Sequence, residues 1–248
     1  MYEIGKKKLL KKSETKAIVS VINGINVNGQ RIFVNTMNES FHVLRYKATE
    51  NKFYLFADDI IPRWISCSTV LDYDTIAGCD KFENFFVYRI PQGCDEESEE
   101  DPIGTNHKWE IGNLHGAAYK LDLIAQYHRG DMITTIKKAS LTGGSETVLV
   151  YGTTLGGIGV FMPYETREEV DFFMHLEMYM RLESPPLCGR EHQMYRSAYG
   201  PVKSVVDGDL CEEFNVLDLP KQKMLASELD KTPNEITKKL EELRNKVL

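Results

Sequence analysis

The chain has 248 residues, 42% of them hydrophobic and 27% charged, with a formal net charge of −7 at pH 7. That make-up suits a globular protein with a sizeable core. No apolar run approaches the roughly 18 residues that a membrane-spanning helix needs, and the acidic surplus argues against a surface built to neutralise nucleic-acid phosphates. Most of the negative charge is local, because Asp95, Glu96, Glu97, Glu99, Glu100 and Asp101 together supply −6. Outside that segment the charges nearly balance, which leaves room for local basic patches. Five cysteines at scattered positions (67, 79, 94, 188 and 211) fit a reducing compartment, nuclear or cytosolic, better than a disulfide framework. The opening Met1-Tyr-Glu-Ile-Gly-Lys-Lys-Lys8 lacks the apolar core of a signal peptide.

In chain order, Tyr2–Ile4 and Lys8–Lys12 read as leading strands. The lysines at 6–8 and 11–12 suit charged gatekeeping of an edge strand; a nuclear address or phosphate contacts are the alternative. The stretch from Ile32 to Tyr46 then lines up without gaps on Ile76 to Ile90, at a shift of 44 residues. A third copy runs from Leu149 to Pro163, with Gly156-Gly157 at the turn in place of Glu39-Ser40. Each copy is two apolar strands around a tight turn, a hairpin. Further strands are expected ahead of the hairpins at Ala17–Ile22, Arg63–Leu71, Leu121–Tyr127 and Met132–Lys138. Four strands in about 44 residues is the spacing of a β-propeller blade; a β-sandwich with chance similarity is the competing reading. The third interval is 73 residues, and its surplus, Pro91 to about Gly116, reads as a solvated loop. Three hairpins make about three blades, fewer than the four to eight of a closed propeller. An open propeller is therefore expected, completed by further polypeptide or by a partner.

At Thr166 the pattern changes period from two to about 3.6. Thr166 and Glu169 form a capping box, and Pro185-Pro186 stop the helix that follows. A loop with a short helix is expected over 187–197. Asp209 reads as the N-cap of a helix to about Val216, Lys221–Asp230 as another, and Thr232, Pro233 and Glu235 as the start of the last. In that last helix Ile236, Leu240, Leu243 and Val247 make one apolar stripe, and Glu235–Lys239 and Glu242–Lys246 are favourable i,i+4 pairs. The expected organisation is a mainly β protein: a partial, open WD40-like propeller over 1–164, then a small α-helical domain over 165–248.

No catalytic, cofactor or metal site is expected. Cys188 and His192 have half a metal-site spacing, with no second pair following. Gly156-Gly-Ile-Gly159 leads into a strand and lacks the Gly-Lys-Ser/Thr of a phosphate loop. Asp207-Gly-Asp209 lacks the rest of a calcium loop. Pro62-Arg63-Trp64 places two residue types favoured at interfaces side by side, although packing of Trp64 between blades also accounts for it.

Several stretches together resemble a known family. They are Lys6–Lys12, Phe56–Asp59 with Pro62–Trp64, Leu71–Asp74, Ala77-Gly78 with Asp80–Phe82, Gly156–Gly159, Pro185–Arg190 and Val206–Glu212. The chain is similar to the splicing factor 3b subunit 3 family, the spliceosomal branch of a group shared with damage-specific DNA-binding protein 1 and the large cleavage and polyadenylation specificity factor subunit. The resemblance runs almost from Met1 to Leu248, and it departs at Ser66-Cys67-Ser68 and around Asp95–Asp101. It implies the end of a third propeller followed by a helical domain, with further propellers upstream. It implies a non-enzymatic, nuclear scaffold of the splicing factor 3b complex in the U2 small nuclear ribonucleoprotein. The implied partners are a HEAT-repeat subunit and small subunits that engage the branch site, with any RNA contact indirect and no membrane. The alternative is an adaptor of a DNA-damage ubiquitin ligase or of a polyadenylation complex. Arg63, Trp64, Asp72, Asp74 and Lys203 are expected at a partner interface.

Overall fold

A computed structural model describes residues 1–5, 7–94, 116–141, 147–187, 189–198 and 200–247. The chain is mainly β, with several antiparallel sheets that do not close and a small C-terminal helical region. It divides into two compact units. The first is Met1–Ala125 with Asp131–Ile136 and Gly152–Gly157; the second is Gln126–Gly130, Lys137–Tyr151 and Ile158–Leu248.

A small exposed hairpin, β1 (Tyr2–Ile4) and β2 (Leu9–Lys11), opens the chain. The first blade is β3 (Ile22–Asn28), β4 (Arg31–Thr36), β5 (Phe41–Lys47) and β6 (Lys52–Asp58), in that spatial order. The second is β7 (Ile65–Val70), β8 (Thr75–Asp80), β9 (Asn84–Arg89) and, outermost, β11 (Asp122–His128). Between β9 and β11 in sequence, the two-residue β10 (Tyr119–Lys120) joins β6 of the first blade in parallel. The third sheet holds three strands, β12 (Ile133–Ala139), β13 (Val148–Thr153) and β14 (Ile158–Phe161).

The repeat read from sequence is built into the turns. The last residue of each middle strand is Thr36, Asp80 and Thr153, at spacings of 44 and 73. Each caps its own hairpin. Thr36 Oγ1 accepts from Glu39 N at 3.0 Å, Asp80 Oδ1 from Phe82 N at 2.9 Å, and Thr153 Oγ1 from Gly157 N at 3.0 Å. A short polar side chain at the strand end satisfies turn amides that the ladder leaves unpaired. The blades are joined by a second repeated device on their first strands. Asn23 Nδ2 donates to Ile65 O at 2.7 Å, and Ser66 Oγ donates to Ile133 O at 2.8 Å.

Three expectations change here. Ala17–Ile22 is not a strand; the first strand begins at Ile22 and runs to Asn28, where it can pair with β4. Leu121–Tyr127 corresponds to β11 and closes the second blade against β9, so the third sheet has three strands. The interval expected as a solvated loop is buried only at its start, where Cys94 is 3% exposed in the core of the first unit, while Gly116 at its end is exposed. The acidic run at 95–101 lies outside the described residues.

The first core packs between the first and second blades. Phe41, Phe86 and Tyr88 meet edge to face at 5.6–6.2 Å between centroids, with Val43, Phe56, Ile65 and Ile76 around them. Gly78 in β8 is required for this approach, because a Cβ there would stand 2.6 Å from Phe41 Cζ.

The helical core belongs to the second unit. Helix α1 (Arg167–Glu183) starts at the capping box of Thr166 and Glu169 and ends at Ser184, before the two prolines. It buries Phe172, Phe173, Leu176 and Met180. A single turn, α2 (His192–Tyr195), and α3 (Gly208–Glu212) with a 3-10 turn at Glu213–Val216 follow. The cap of α3 is Asp207, not Asp209: Asp207 has the extended backbone of a cap and its Oδ1 accepts from Leu210 N at 3.4 Å. Helices α4 (Leu219–Glu228) and α5 (Pro233–Val247) complete the unit. Ile236 and Leu240 of α5 are 0% and 2% exposed in the cluster with Phe172, Leu176, Phe214 and Leu225. Leu243 packs beside it, and the Val247 side chain lies outside the described residues. The Lys239 ammonium sits 4.8 Å over the Phe172 ring.

Candidate interaction site

Four of the five expected interface residues sit in the first unit, on the loop from β6 to β7 and the β7–β8 turn. Arg63 points inward and is 3% exposed. Its Nε lies 3.3 Å from the Tyr88 hydroxyl and its guanidinium lies 4.4 Å over the Phe86 ring. Asp80 and Asp59 stand 3.6 and 3.9 Å away. A buried cation needs such acids, since desolvation alone would be costly. Burial, reinforced by the charge of Asp59, pushes the Tyr88 phenol up. Arg63 therefore holds the loop from within, and Trp64 is what the loop displays. Trp64 is half-buried, with Lys81 Nζ 3.5 Å over its ring and 5.0 Å from that of Phe82. Phe82 is 48% and Ile60 71% exposed. The result is a surface of aromatic faces with a cation laid across them, a chemistry that favours protein contacts.

Asp72 and Asp74 form the neighbouring β7–β8 turn. Asp72 is exposed, and its Oδ1 accepts from Asp74 N at 2.8 Å. Asp74 is in an ion pair with Arg31, which also donates to Tyr73 O at 3.0 Å and stacks 3.9 Å over the Tyr73 ring.

Lys203 belongs to the second unit and is exposed, and its backbone forms a two-bond bridge with Gln126 at 2.9 and 3.0 Å. The sequence reading missed the group beside it. Asp207, 3% exposed, accepts from Arg196 Nε at 2.8 Å and pairs with Arg196 Nη2 at 2.8 Å. His192 Nε2 stands 3.1 Å from the same oxygen, and the Tyr127 hydroxyl also bonds to this carboxylate. Burial alone would raise the Asp207 carboxyl; His192, the Arg196 charge and Tyr127 outweigh it and hold the group well below the usual carboxylate range. Arg196 Nη1 also donates to Arg129 O at 2.7 Å. One carboxylate thus ties the end of β11, the α2 turn and the start of α3 together. The available signal was Asp207 directly ahead of Gly208, as good a cap as Asp209. His192, weighed with Cys188 as half a metal site, serves this group instead; Cys188 lies outside the described residues.

Beside this group a cavity of about 540 Å³ is lined by Tyr164, Met174, Glu177, Arg181, His192 and Val206, among others. Burial pushes the Glu177 carboxyl up. Among the described residues no group of three or more His, Cys, Asp or Glu could hold a metal ion.

The family model of the CPSF A subunit region matches residues 1–216. The chain is 51% identical over all its 248 residues to Spliceosome-associated protein 130 A of Arabidopsis thaliana, and 50% identical over the same length to Probable splicing factor 3B subunit 3 of Dictyostelium discoideum. It is 48% identical over 246 residues, 99% of the chain, to Splicing factor 3B subunit 3 of Danio rerio. In each comparison the chain spans 20% of the relative's length. The blade repeat, the open sheets and the helical tail accord with these matches, and the chain belongs to the family of the CPSF A subunit region, with splicing factor 3B subunit 3 proteins among its relatives.

Proposed function

We propose that this chain is part of a non-enzymatic scaffold subunit of a nuclear splicing complex, acting through protein–protein contacts. The observation that carries the reading is the identity of 48–51% across essentially the whole chain to relatives named for splicing. In this reading the chain is the end of a propeller, residues 1–164, followed by a helical domain, residues 165–248. Its partners are a HEAT-repeat subunit and small subunits of the splicing factor 3b complex, and its contribution to branch-site recognition is indirect support. Trp64, Asp72, Asp74 and Lys203 contact partners, with Arg63 holding the Trp64 loop in place. The exposed side chains of β3, Ile22 at 48%, Ile25 at 59% and Val27 at 65%, support a further blade against that strand.

Affinity purification of the tagged protein from nuclear extract, with mass spectrometry of what accompanies it, tests the reading. Recovery of splicing factor 3b subunits in stoichiometric amounts is expected. Recovery of ubiquitin-ligase or polyadenylation subunits in their place would overturn it in favour of an adaptor role.

A further inference from the structure

The second blade carries two of the chain's five cysteines directly opposite one another. Cys67 of β7 and Cys79 of β8 are Cα partners across an antiparallel ladder. Opposed residues in such a ladder have Cα atoms about 4.5–5.5 Å apart and side chains on the same face. That separation lies inside the roughly 4.4–6.8 Å window for a disulfide. Neither cysteine is in a disulfide, and the two thiols share a side-chain hydrogen bond. Ser66, at the register shift between Ile65 and Cys67, lies beside the pair, its one hydroxyl proton directed to Ile133 O at 2.8 Å with Cys79 O 3.1 Å away. Cys67 Sγ in turn lies 3.5 Å from Ile133 O. The pair is asymmetric in access: Cys79 is 0% exposed and Cys67 partly exposed. The same burial pushes the Cys79 thiol up, so Cys67 is the sulfur an oxidant meets first.

We propose that Cys67 and Cys79 are a thiol modification site, forming a reversible cross-strand disulfide when the protein meets a hydroperoxide. In the first step the Cys67 sulfur attacks the terminal peroxide oxygen and the O–O bond breaks; Cys67 becomes the sulfenic acid, and the alkoxide takes up the thiol proton and leaves as an alcohol (water, for hydrogen peroxide). In the second, the Cys79 sulfur attacks the sulfenic sulfur, the S–O bond breaks, and the Cys79 proton leaves with the hydroxide as water. Two thiols are oxidised by two electrons and one peroxide is reduced. The product bolts β7 to β8 beside the first residue of β12.

The test uses the native, reduced protein. Arg63 and Lys81 flank the pair with no Lys or Arg between them, so trypsin releases both cysteines on one peptide, Trp64–Lys81. After brief hydrogen peroxide treatment and quenching with N-ethylmaleimide, that peptide should be lighter by two hydrogens and carry no maleimide. Cleavage at Asp72 or Asp74 should leave its halves joined until dithiothreitol is added. In Cys79→Ser the second step has no partner, and Cys67 should instead be trapped by dimedone as the sulfenic acid. Recovery of Cys67 from the folded wild-type protein as its maleimide adduct, as the sulfinic acid, or joined to Cys94, Cys188 or Cys211 would overturn the proposal.

Discussion

Replacing Asp207 by Asn is the sharpest probe of the helical unit. The substitution keeps the shape and an N-cap acceptor for Leu210, because Asn caps helices about as well as Asp. What it removes is the charge that compensates Arg196, a residue 9% exposed and paired to Asp207 at 2.8 Å through two nitrogens. Breaking a buried pair on one side costs about 3–5 kcal/mol. At about 1.4 kcal/mol per factor of ten, amide protection in α3 should fall by at least a hundred-fold. Hydrogen exchange on the native protein reads this directly, since it reports local opening. The pH dependence carries the sign. Asp207 has a depressed folded pKa, so its stabilisation is complete above the unfolded value of about 3.9 and is lost as pH falls below it. Glu177 works the opposite way, because its raised pKa penalises the folded state near neutrality and that penalty is relieved on acidification. Asp207→Asn should therefore abolish the acid-side loss of α3 protection while leaving the Glu177 effect. A change in protection of less than about five-fold at pH 7, near 1 kcal/mol, would refute the assigned role of the carboxylate.

Leu240→Glu should detach α5, since it puts a charge at a position 2% exposed among Phe172, Leu176 and Ile236. Lys239→Glu should cost no more than about 1 kcal/mol, the worth of an exposed cation–aromatic contact; equal effects in thermal unfolding would mean that the stripe is misassigned. Gly78→Ala should destabilise the first unit by about 1–3 kcal/mol through overpacking against Phe41, and a neutral result in urea unfolding would show that the two blades give way there.

Much of the β architecture was legible because the hairpins repeat in register, with Ile32, Phe41, Val43 and Arg45 matched by Ile76, Phe85, Val87 and Arg89. The turn caps Thr36, Asp80 and Thr153 fall at the same spacings, so local chemistry and the global repeat agree. The first strand was less legible. β3 carries Gly24 and three asparagines, poor strand formers whose placement is fixed by partners such as Ile65 O and Ser68 Oγ across the blade boundary. Helix starts at Thr166 and Thr232 were readable because a capping box is a local signal. The Asp207 group was not, because Tyr127, His192, Arg196 and Asp207 span 80 residues and meet only after folding. Arg63 was noticed for its residue type, yet its inward direction depends on Asp59, Asp80 and Tyr88, which no spacing rule brings together.

The proposed scaffold role turns on sheets that do not close and on apolar side chains left exposed on β3. Sedimentation velocity on the isolated 248-residue chain, with hydrogen exchange resolved at β3, tests this most directly. Ile22, Ile25 and Val27 are exposed on β3, the terminal strand of its sheet, and such a surface drives association. Self-association or aggregation is expected, with the outward-facing β3 amides, those not bonded to β4, becoming protected only when a partner covers that edge. A compact, concentration-independent monomer with those outward-facing amides already protected would contradict this reading.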